Sequence, residues 1–345
     1  MSTQREMDID VAKGLGILLV AAGHTPLWTS LGFKWVGMAI FSFHMPLFLF
    51  LSGLFLPARQ NLSTVLLRRG KGLLLPYVLA CAVFLATGEY ANWPSLFGRI
   101  GWATGQSIGW PWTPIWFLPH LFLCIVVAWA HLKAWDRLGL ARWKWVCLFV
   151  LLLILTRQIF DWEDASDFEL WERELGLLGL PWSLDILPAS LVFLLGAHLW
   201  GRSLLVWTRK WWSLPVFLGL ATFWYWRYAW SINFNVRTYD HLAGSTTMAM
   251  LGILAVMALA SLLAGLKIPA LALSSLGRAS LWILVSHAFL QSWTYAKLWD
   301  ESTGPTPDRY LAFGFLIGWC LPWGVHSLRE RLPVWWRRLR HKEIQ

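Results

Sequence analysis

Two histidines interrupt apolar stretches near the start of the sequence. His24 ends the run "DIDVAKGLGILLVAAGH", and His44 stands inside "FSFHMPLFLFLSG". An ionisable side chain is costly in an apolar environment, and where one occurs it commonly marks a functional site. A buried imidazole stays neutral more readily than charged, so it can accept a proton from a substrate. The two histidines therefore predict a general base.

The composition around them is that of an integral membrane protein. Of 345 residues, 57% are hydrophobic and 14% are charged, whereas soluble domains carry about 25% charged residues. About ten apolar blocks are long enough to cross the hydrocarbon core as helices. They span roughly 12–30, 35–57, 72–88, 115–132, 145–160, 180–200, 212–227, 246–265, 277–296 and 310–328. The gaps are too short for a soluble domain. We expect an all-α, polytopic helix bundle forming a single domain over residues 1–345.

The basic residues give the orientation. Most of the 29 Lys and Arg residues fall at the two termini or in the loops on the same face, which predicts that both termini are cytoplasmic. The net charge of +10 is spread over these loops, so it does not indicate nucleic acid. Membrane lipid headgroups or an anionic cytoplasmic ligand are the expected partners. The four cysteines lie apart in sequence and support neither a disulfide framework nor a metal site.

The two histidines are expected at matched depth. His24 lies ~17 Å along its helix from the cytoplasmic end, and His44 lies ~14 Å from the other face. Because the first two spans run in opposite directions, both rings can line one cavity. Glycine and proline in "GHTP" and "FHMP" fit this, since irregular backbone at membrane depth is tolerated beside a cavity. Each ring alone has a structural alternative, a hydrogen bond to a neighbouring helix. His287 reaches similar depth, with ligand binding and packing equally open.

Basic residues near the cytoplasmic ends of the first and third spans suit a phosphate-rich ligand. Lys13 precedes His24 by three helical turns, and Arg68 and Arg69 stand at the start of the third span. Arginine and lysine are the usual phosphate donors. Orientation by positive charge explains each of them singly, and their placement beside the span that carries His24 modestly favours a phosphate site.

The outer loops 88–114 and 228–245 mix aromatic residues with amides, hydroxyls and charges. Sugars bind to aromatic faces with such polar neighbours, although interfacial loops have a similar composition. Asp185 is the lone carboxylate in its apolar block, where it either binds an acceptor hydroxyl or caps a helix. Trp116, Asn235 and Tyr239 are further candidates for an acceptor site.

The order of these motifs resembles one protein family. "DIDVAKGLGILLVAAGH", "FSFHMPLFLFLSGLFL", "RRGKGLLLPY", "PIWFLPHLF", "SLDILPASLVFLLGAHLW" and "LSSLGRASLWILVSH" follow one another over most of the chain. Together they resemble the acyltransferase family 3 membrane proteins, and within them the fucose 4-O-acetylase type of bacterial saccharide O-acetyltransferases. The family motif is a basic residue, ten residues, then histidine, matched here by Lys13 and His24.

The resemblance implies an enzyme of the inner membrane that moves an acetyl group from acetyl-CoA to a hydroxyl of a surface saccharide or its lipid-linked precursor. It implies that His24 is the essential base and that Lys13, Arg68 and Arg69 serve the CoA side. No metal is expected. His44 is expected to position the substrate or stabilise the oxyanion. Direct transfer is favoured over an acyl-histidine intermediate. Two other functions stay open from the residues alone, a proton-coupled transporter or exporter and a sensor that binds without turnover.

Overall fold

The computed structural model describes residues 3–87, 93–141, 143–165, 179–300, 302 and 304–342, and these residues are mostly helical. The helices are α1 Thr3–Gly23, α2 Leu27–Ser30, α3 Lys34–Phe41, α4 His44–Gly53, α5 Leu62–Arg69, α6 Leu75–Ala86, α7 Trp93–Trp102, α8 Gly105–Ile108, α9 Phe117–Leu138, α10 Lys144–Ala165, α11 Leu187–Thr208, α12 Ser213–Tyr228, α13 Leu242–Ala264, α14 Lys267–Leu298 and α15 Asp308–Lys342. A π-helical turn, Gly70–Leu74, joins α5 to α6, and 3₁₀ turns cover Thr113–Trp116 and Pro181–Ile186. Strands β1 (Ile232–Asn233) and β2 (Thr238–Tyr239) form one antiparallel hairpin.

Eight helical segments of the described residues are long and apolar enough to cross a membrane. They are Lys34–Gly53, Leu62–Ala86, Thr113–Leu138, Lys144–Trp162, Pro181–Thr208, Leu242–Ala264, Lys267–Leu298 and Asp308–Arg331. The all-α, polytopic membrane bundle expected from the sequence is confirmed. Helices α1 and α12 are not among the eight, so the count of ten spans and the cytoplasmic termini stay predictions.

Both histidine motifs coincide with breaks in the helices. α1 ends at Gly23, His24 follows it, and α2 begins after Pro26. The block 12–30 is therefore not one helix, because proline lacks the N–H that would continue the ladder. The block 35–57 breaks at residues 42 and 43, and His44 is the first residue of α4. Pro46 is tolerated there, since the first turn of a helix needs no N–H from it.

The chain divides into two compact units, Met1–Gly37 with Leu259–Gln345, and Met38–Ala258. The single domain over 1–345 stays a prediction. In the first unit, α1 packs along α14, and α14 packs against α15. Gly14 lies on the backbone of Leu273, and Gly277 lies on the backbone of Asp10. Small residues let membrane helices approach this closely, and the contact fixes the level at which α1 meets α14.

In the second unit, α11 is the central helix, and α4, α9 and α10 pack around it. Its residues Leu191, Phe193 and Leu194 are buried. Gly53 at the end of α4 lies against the backbone of Leu194, where any side chain would collide. This packing holds the N-terminal end of α11, and the 3₁₀ turn before it, beside α9.

Candidate functional site

The first unit places His24 beside His287. The two ring centroids are 5.3 Å apart. His24 still donates its backbone N–H to Val20 O, and the Trp28 indole N–H donates to Ala22 O, 2.8 Å away. These bonds hold the end of α1. His24 is half-buried and His287 fully buried, so the pair combines an accessible ring with a fixed one.

The tautomer of His287 follows from its hydrogen bonds. Nδ1 lies 2.9 Å from Ile283 O and 3.0 Å from Leu284 O. A carbonyl can only accept, so Nδ1 carries the proton and Nε2 of the neutral ring is an acceptor. Among the described residues, His287 Nε2 has no hydrogen-bond partner. A buried acceptor in this state is ready to receive a proton donor.

Further polar groups surround this pair. Gln291, one turn after His287, donates its amide to Ala21 O at 3.1 Å, and its Oε1 has no partner within the described part of the chain. Thr25 and Tyr295 share a hydrogen bond of 3.2 Å. Both α1 and α14 thus supply polar atoms at the level of the histidine pair.

Lys13 lies on the same helix as His24, and eleven residues of helix separate the two by ~17 Å. Its Nζ is 3.3 Å from Asp10 Oδ1, and both side chains are about one-third exposed. A partly exposed pair of this kind contributes little to stability. The ammonium group therefore remains available to an anionic ligand at modest cost.

The other predicted residues of the donor side, and His44, lie in the second unit. His44 is buried, and its Nδ1 is 3.0 Å from Ile40 O, so it bridges the break between α3 and α4. Arg68 and Arg69 lie within the continuous segment Leu62–Ala86 and not at its mouth. Arg68 is exposed, whereas Arg69 donates to Phe55 O at 3.0 Å. The shared cavity of His24 and His44 involves both units and stays a prediction.

A buried ion pair organises a second polar cluster. Arg237 Nε is 2.6 Å from Asp185 Oδ2, with Asp185 0% and Arg237 11% exposed. Arg237 also donates to Asn235 O at 2.8 Å. Trp182, Ser183 and Arg237 all have φ between 54° and 56°. Left-handed backbone costs of order 1–3 kcal/mol per residue and tends to collect at functional sites.

One carboxylate oxygen of Asp185 has no hydrogen-bond partner among the described residues. Within the described ranges, Asp185 Oδ1 and Asn235 Oδ1 are buried without hydrogen-bond partners, and so is Arg99 Nε. The two acceptors of Asp185 and Asn235 match a ligand with several hydroxyl groups. Asp185 lies in the 3₁₀ turn Pro181–Ile186. Because its carboxylate also binds Arg237, capping the following helix is not its only role.

The structure brings Trp116 and Asn235 together at Gly105. A Cβ on Gly105 would collide with Asn235 Oδ1 and the Trp116 indole. Tyr239 is 3% exposed and donates to Thr246 Oγ1, whose own hydroxyl donates to Leu242 O. Burial raises the pKa of Tyr239, so its phenol stays protonated at neutral pH. Its proton is used internally, which makes Tyr239 the weakest acceptor candidate. Residues 88–92 of the first outer loop lie outside the described residues.

His120 was not predicted from the sequence, although it is buried beside Trp116, with ring centroids 5.5 Å apart. Its Nδ1 is 3.1 Å from Trp182 O, and Ser190 Oγ, 2.8 Å from Nε2, donates to that nitrogen. An ionisable residue within an apolar block was the available signal. For Arg237, in a polar loop, the sequence offers no such signal.

Among the described residues, no group of three or more His, Cys, Asp or Glu side chains is placed to hold a metal ion.

The family profile of the acyltransferase domain matches residues 7–325. The chain belongs to acyltransferase family 3. The profile covers the motif of Lys13 and His24 and the segment that carries His287, so this family 3 protein is a membrane acyltransferase. The fucose 4-O-acetylase type stays a prediction. No match is found among curated proteins or among solved structures.

Proposed function

We propose that this acyltransferase moves an acetyl group from cytoplasmic acetyl-CoA to a hydroxyl of a cell-surface saccharide or its lipid-linked precursor, in the inner (plasma) membrane. The observation that supports the catalytic part is the 5.3 Å pairing of His24 with His287. Both rings lie in the described ranges and do not share a hydrogen bond in the structure. Catalytic hydrogen bonds often tighten only in the substrate complex, and rings this close need only a small shift to form an N–H···N bond.

In this mechanism His24 is the general base and His287 is a positioning residue. His287 Nδ1 is committed to backbone carbonyls, and its Nε2 has no partner in the part of the chain that the structure describes, so in the substrate complex this nitrogen accepts an N–H from His24. That bond fixes the tautomer of His24 and leaves the other His24 nitrogen as a proton acceptor. A base oriented by a third group is the arrangement of many activated hydroxyl nucleophiles.

The reaction itself is a direct transfer. The acceptor hydroxyl loses its proton to His24 as its oxygen attacks the thioester carbonyl carbon. The C–O bond forms, the C–S bond breaks, and the proton passes from His24 to the departing CoA thiolate. General base catalysis of this kind contributes about 10²–10⁴-fold. His44 is proposed to position the substrate or stabilise the oxyanion.

For the donor, we assign the CoA phosphates to Lys13, Arg68 and Arg69. Lys13 forms a partly exposed pair with Asp10, and Arg68 is exposed. Arg69 is bound to Phe55 O and keeps four further N–H groups for a phosphate.

For the acceptor, we assign the sugar to the cluster around Asp185. The unpartnered oxygens of Asp185 and Asn235 accept hydroxyl protons, and Trp116 supplies an aromatic face. Arg237 holds the Asp185 carboxylate in place, and His120 holds Trp182 O beside it. His287, a candidate substrate ligand by its sequence position, is assigned here to His24, whose ring lies 5.3 Å away.

The experiment uses the full chain in proteoliposomes with radiolabelled acetyl-CoA and the lipid-linked saccharide fraction of the source cells. Label is expected in the saccharide, and mass spectrometry of surface glycans should show one acetyl group fewer per repeat in cells that lack the protein. Movement of saccharide across the membrane without acetyl transfer would instead identify a transporter.

A further inference from the structure

A groove of about 430 Å³ lies within the first unit, between α14 and α15. Helix α14 contributes Leu271, Ala272 and Ser275, and α15 contributes the stripe from Trp323 to Arg331 that includes Gly324 and Ser327. Its volume falls within the range of small-molecule sites. None of the residues assigned to acetyl transfer lines it.

Two glycines of α15 have different surroundings. At Gly318, α15 touches the Gln291 side chain and His287 O on α14, so a Cβ there would collide. Six residues further, ~9 Å along the helix, a Cβ on Gly324 would meet no described atom within 4 Å. Trp323 forms one wall, and its indole N–H donates to Ser275 Oγ at 3.0 Å.

The lining changes from apolar to cationic along the groove. Leu271 and Leu328 are 58% and 64% exposed, which suits contact with acyl chains. Ser275 and Ser327 add hydroxyls 3.5 Å apart, and Arg331 is the charged residue of the lining. Nearby, Arg278 pairs with Glu330, and Arg329 lies over the Trp282 ring, so Arg331 is left for the groove.

We propose that this groove binds an anionic phospholipid. One acyl chain lies along Leu271, Ala272 and Leu328, the ester oxygens accept from the serine hydroxyls, and the headgroup phosphate pairs with Arg331. Basic pockets between membrane helices on the cytoplasmic side favour anionic headgroups. The distance from Trp323 to Arg331, ~12 Å along α15, accommodates a glycerol backbone and the first part of a chain.

Native mass spectrometry of the full-chain protein in detergent tests the site, with dioleoylphosphatidylglycerol and dioleoylphosphatidylcholine as probes. The wild type should bind one phosphatidylglycerol molecule more tightly than phosphatidylcholine. Gly324→Leu should lose this tight site for both lipids, because leucine fills the open groove. Arg331→Gln should weaken phosphatidylglycerol about fivefold and leave phosphatidylcholine unchanged.

Two matched variants serve as controls. Gly219 on α12 is exposed and has the same open space around it, so Gly219→Leu should bind lipid like the wild type. Arg202 is exposed on α11, and Arg202→Gln should keep the headgroup preference. Equal binding of both lipids by the wild type, unchanged binding by Gly324→Leu, or displacement of the lipid by millimolar inorganic phosphate would each overturn the proposal. Arg331→Gln keeps the test decisive if Gly324→Leu fails to fold.

Discussion

His24 stands at the point where α1 stops, and this position shapes its chemistry. Its backbone N–H is held by Val20 O, while the next residues leave the helix. The ring is therefore attached to a rigid support on one side and to an irregular turn on the other. His287 lies in the middle of α14, where its ring is fixed by two carbonyls. A half-buried ring beside a fixed partner suits the proposed exchange of a proton with a substrate.

Replacing His24 with alanine should abolish acetyl transfer. The expected loss is about 10²–10⁴-fold in kcat/KM, because no other group removes the proton of the acceptor hydroxyl. Radiolabel transfer from acetyl-CoA measures the effect, and size-exclusion chromatography checks the fold. His131→Ala is the control, since His131 is a partly buried histidine outside the proposed site whose Nδ1 bonds Val127 O of its own helix. Turnover at the wild-type level in His24→Ala would exclude His24 as the base.

His287 should act on the rate and not on substrate binding. His287→Leu removes the acceptor for the His24 N–H, and misorientation of a catalytic group costs about a hundredfold. His287→Asn, which keeps a hydrogen-bonding side chain, should recover part of kcat, with KM for acetyl-CoA unchanged in both variants. A raised KM with normal kcat would identify His287 as a substrate ligand instead.

At the scale of single residues, the sequence predicts which side chains are candidates for the site but not which side chains they contact. His24 and His287 stand out because each is ionisable within an apolar block, and Gln291 follows His287 at the i+4 spacing of one helix face. What joins His24 to His287 is the level at which α1 meets α14, which depends on Gly14 and Gly277. Arg237 was missed because a basic residue in a polar loop is ordinary, and its ion pair with Asp185 spans 52 residues.

At the scale of elements, the glycines of the first unit set the register of the helices. Gly277→Ala places a methyl group on the Asp10 carbonyl and should destabilise the fold by roughly 1–3 kcal/mol. Unfolding titrations with sodium dodecyl sulfate in mixed micelles measure this. Gly219→Ala, with open space around it, should be neutral or stabilise by about 0.5–1 kcal/mol. Equal effects of the two substitutions would show that the α1–α14 contact is not close.

The Asp185–Arg237 pair connects the turn before α11 with the hairpin of β1 and β2. Arg237→Leu leaves a buried carboxylate without its partner and should cost about 3–5 kcal/mol. The double variant Asp185→Leu/Arg237→Leu should cost less than the sum of the two single variants, because neither charge is then stranded. The same unfolding titration gives the coupling free energy. A coupling near zero would mean that the pair is not buried in the native protein.

The sequence predicts the breaks in the helices better than it predicts the ends of the spans. "GHTP" and "FHMP" predict irregular backbone, and both positions interrupt a helix. Hydropathy predicts the third block at 72–88, but the helical segment begins at Leu62. Arg68, Arg69 and Lys71 are polar, so hydropathy starts the block too late, whereas long basic side chains can extend from a helix to the membrane surface. Glycine and proline in the sequence thus locate the breaks in the helices, whereas the helix ends depend on packing.

At the scale of the whole molecule, the topology depends on whether α12 crosses the membrane. It has 16 residues, a length of ~24 Å against a hydrocarbon core of about 30 Å. A short helix can still cross if the bilayer thins or flanking residues reach the interface. Ten spans with both termini cytoplasmic require that α12 crosses. Trp211 before it is 90% exposed, and Asp240 after it is also exposed, so the two positions can report on opposite faces.

We expect Trp211 on the cytoplasmic side and Asp240 on the outer side. With Cys81, Cys124, Cys147 and Cys320 replaced by alanine, Asp240→Cys should react with a membrane-impermeant maleimide in intact spheroplasts. Trp211→Cys should react only after lysis, because Arg209 and Lys210 beside it hold that loop inside. Labelling of both cysteines from the same face would mean that α12 does not cross. In that case α13 and the helices after it would run opposite to the orientation that the basic residues predict.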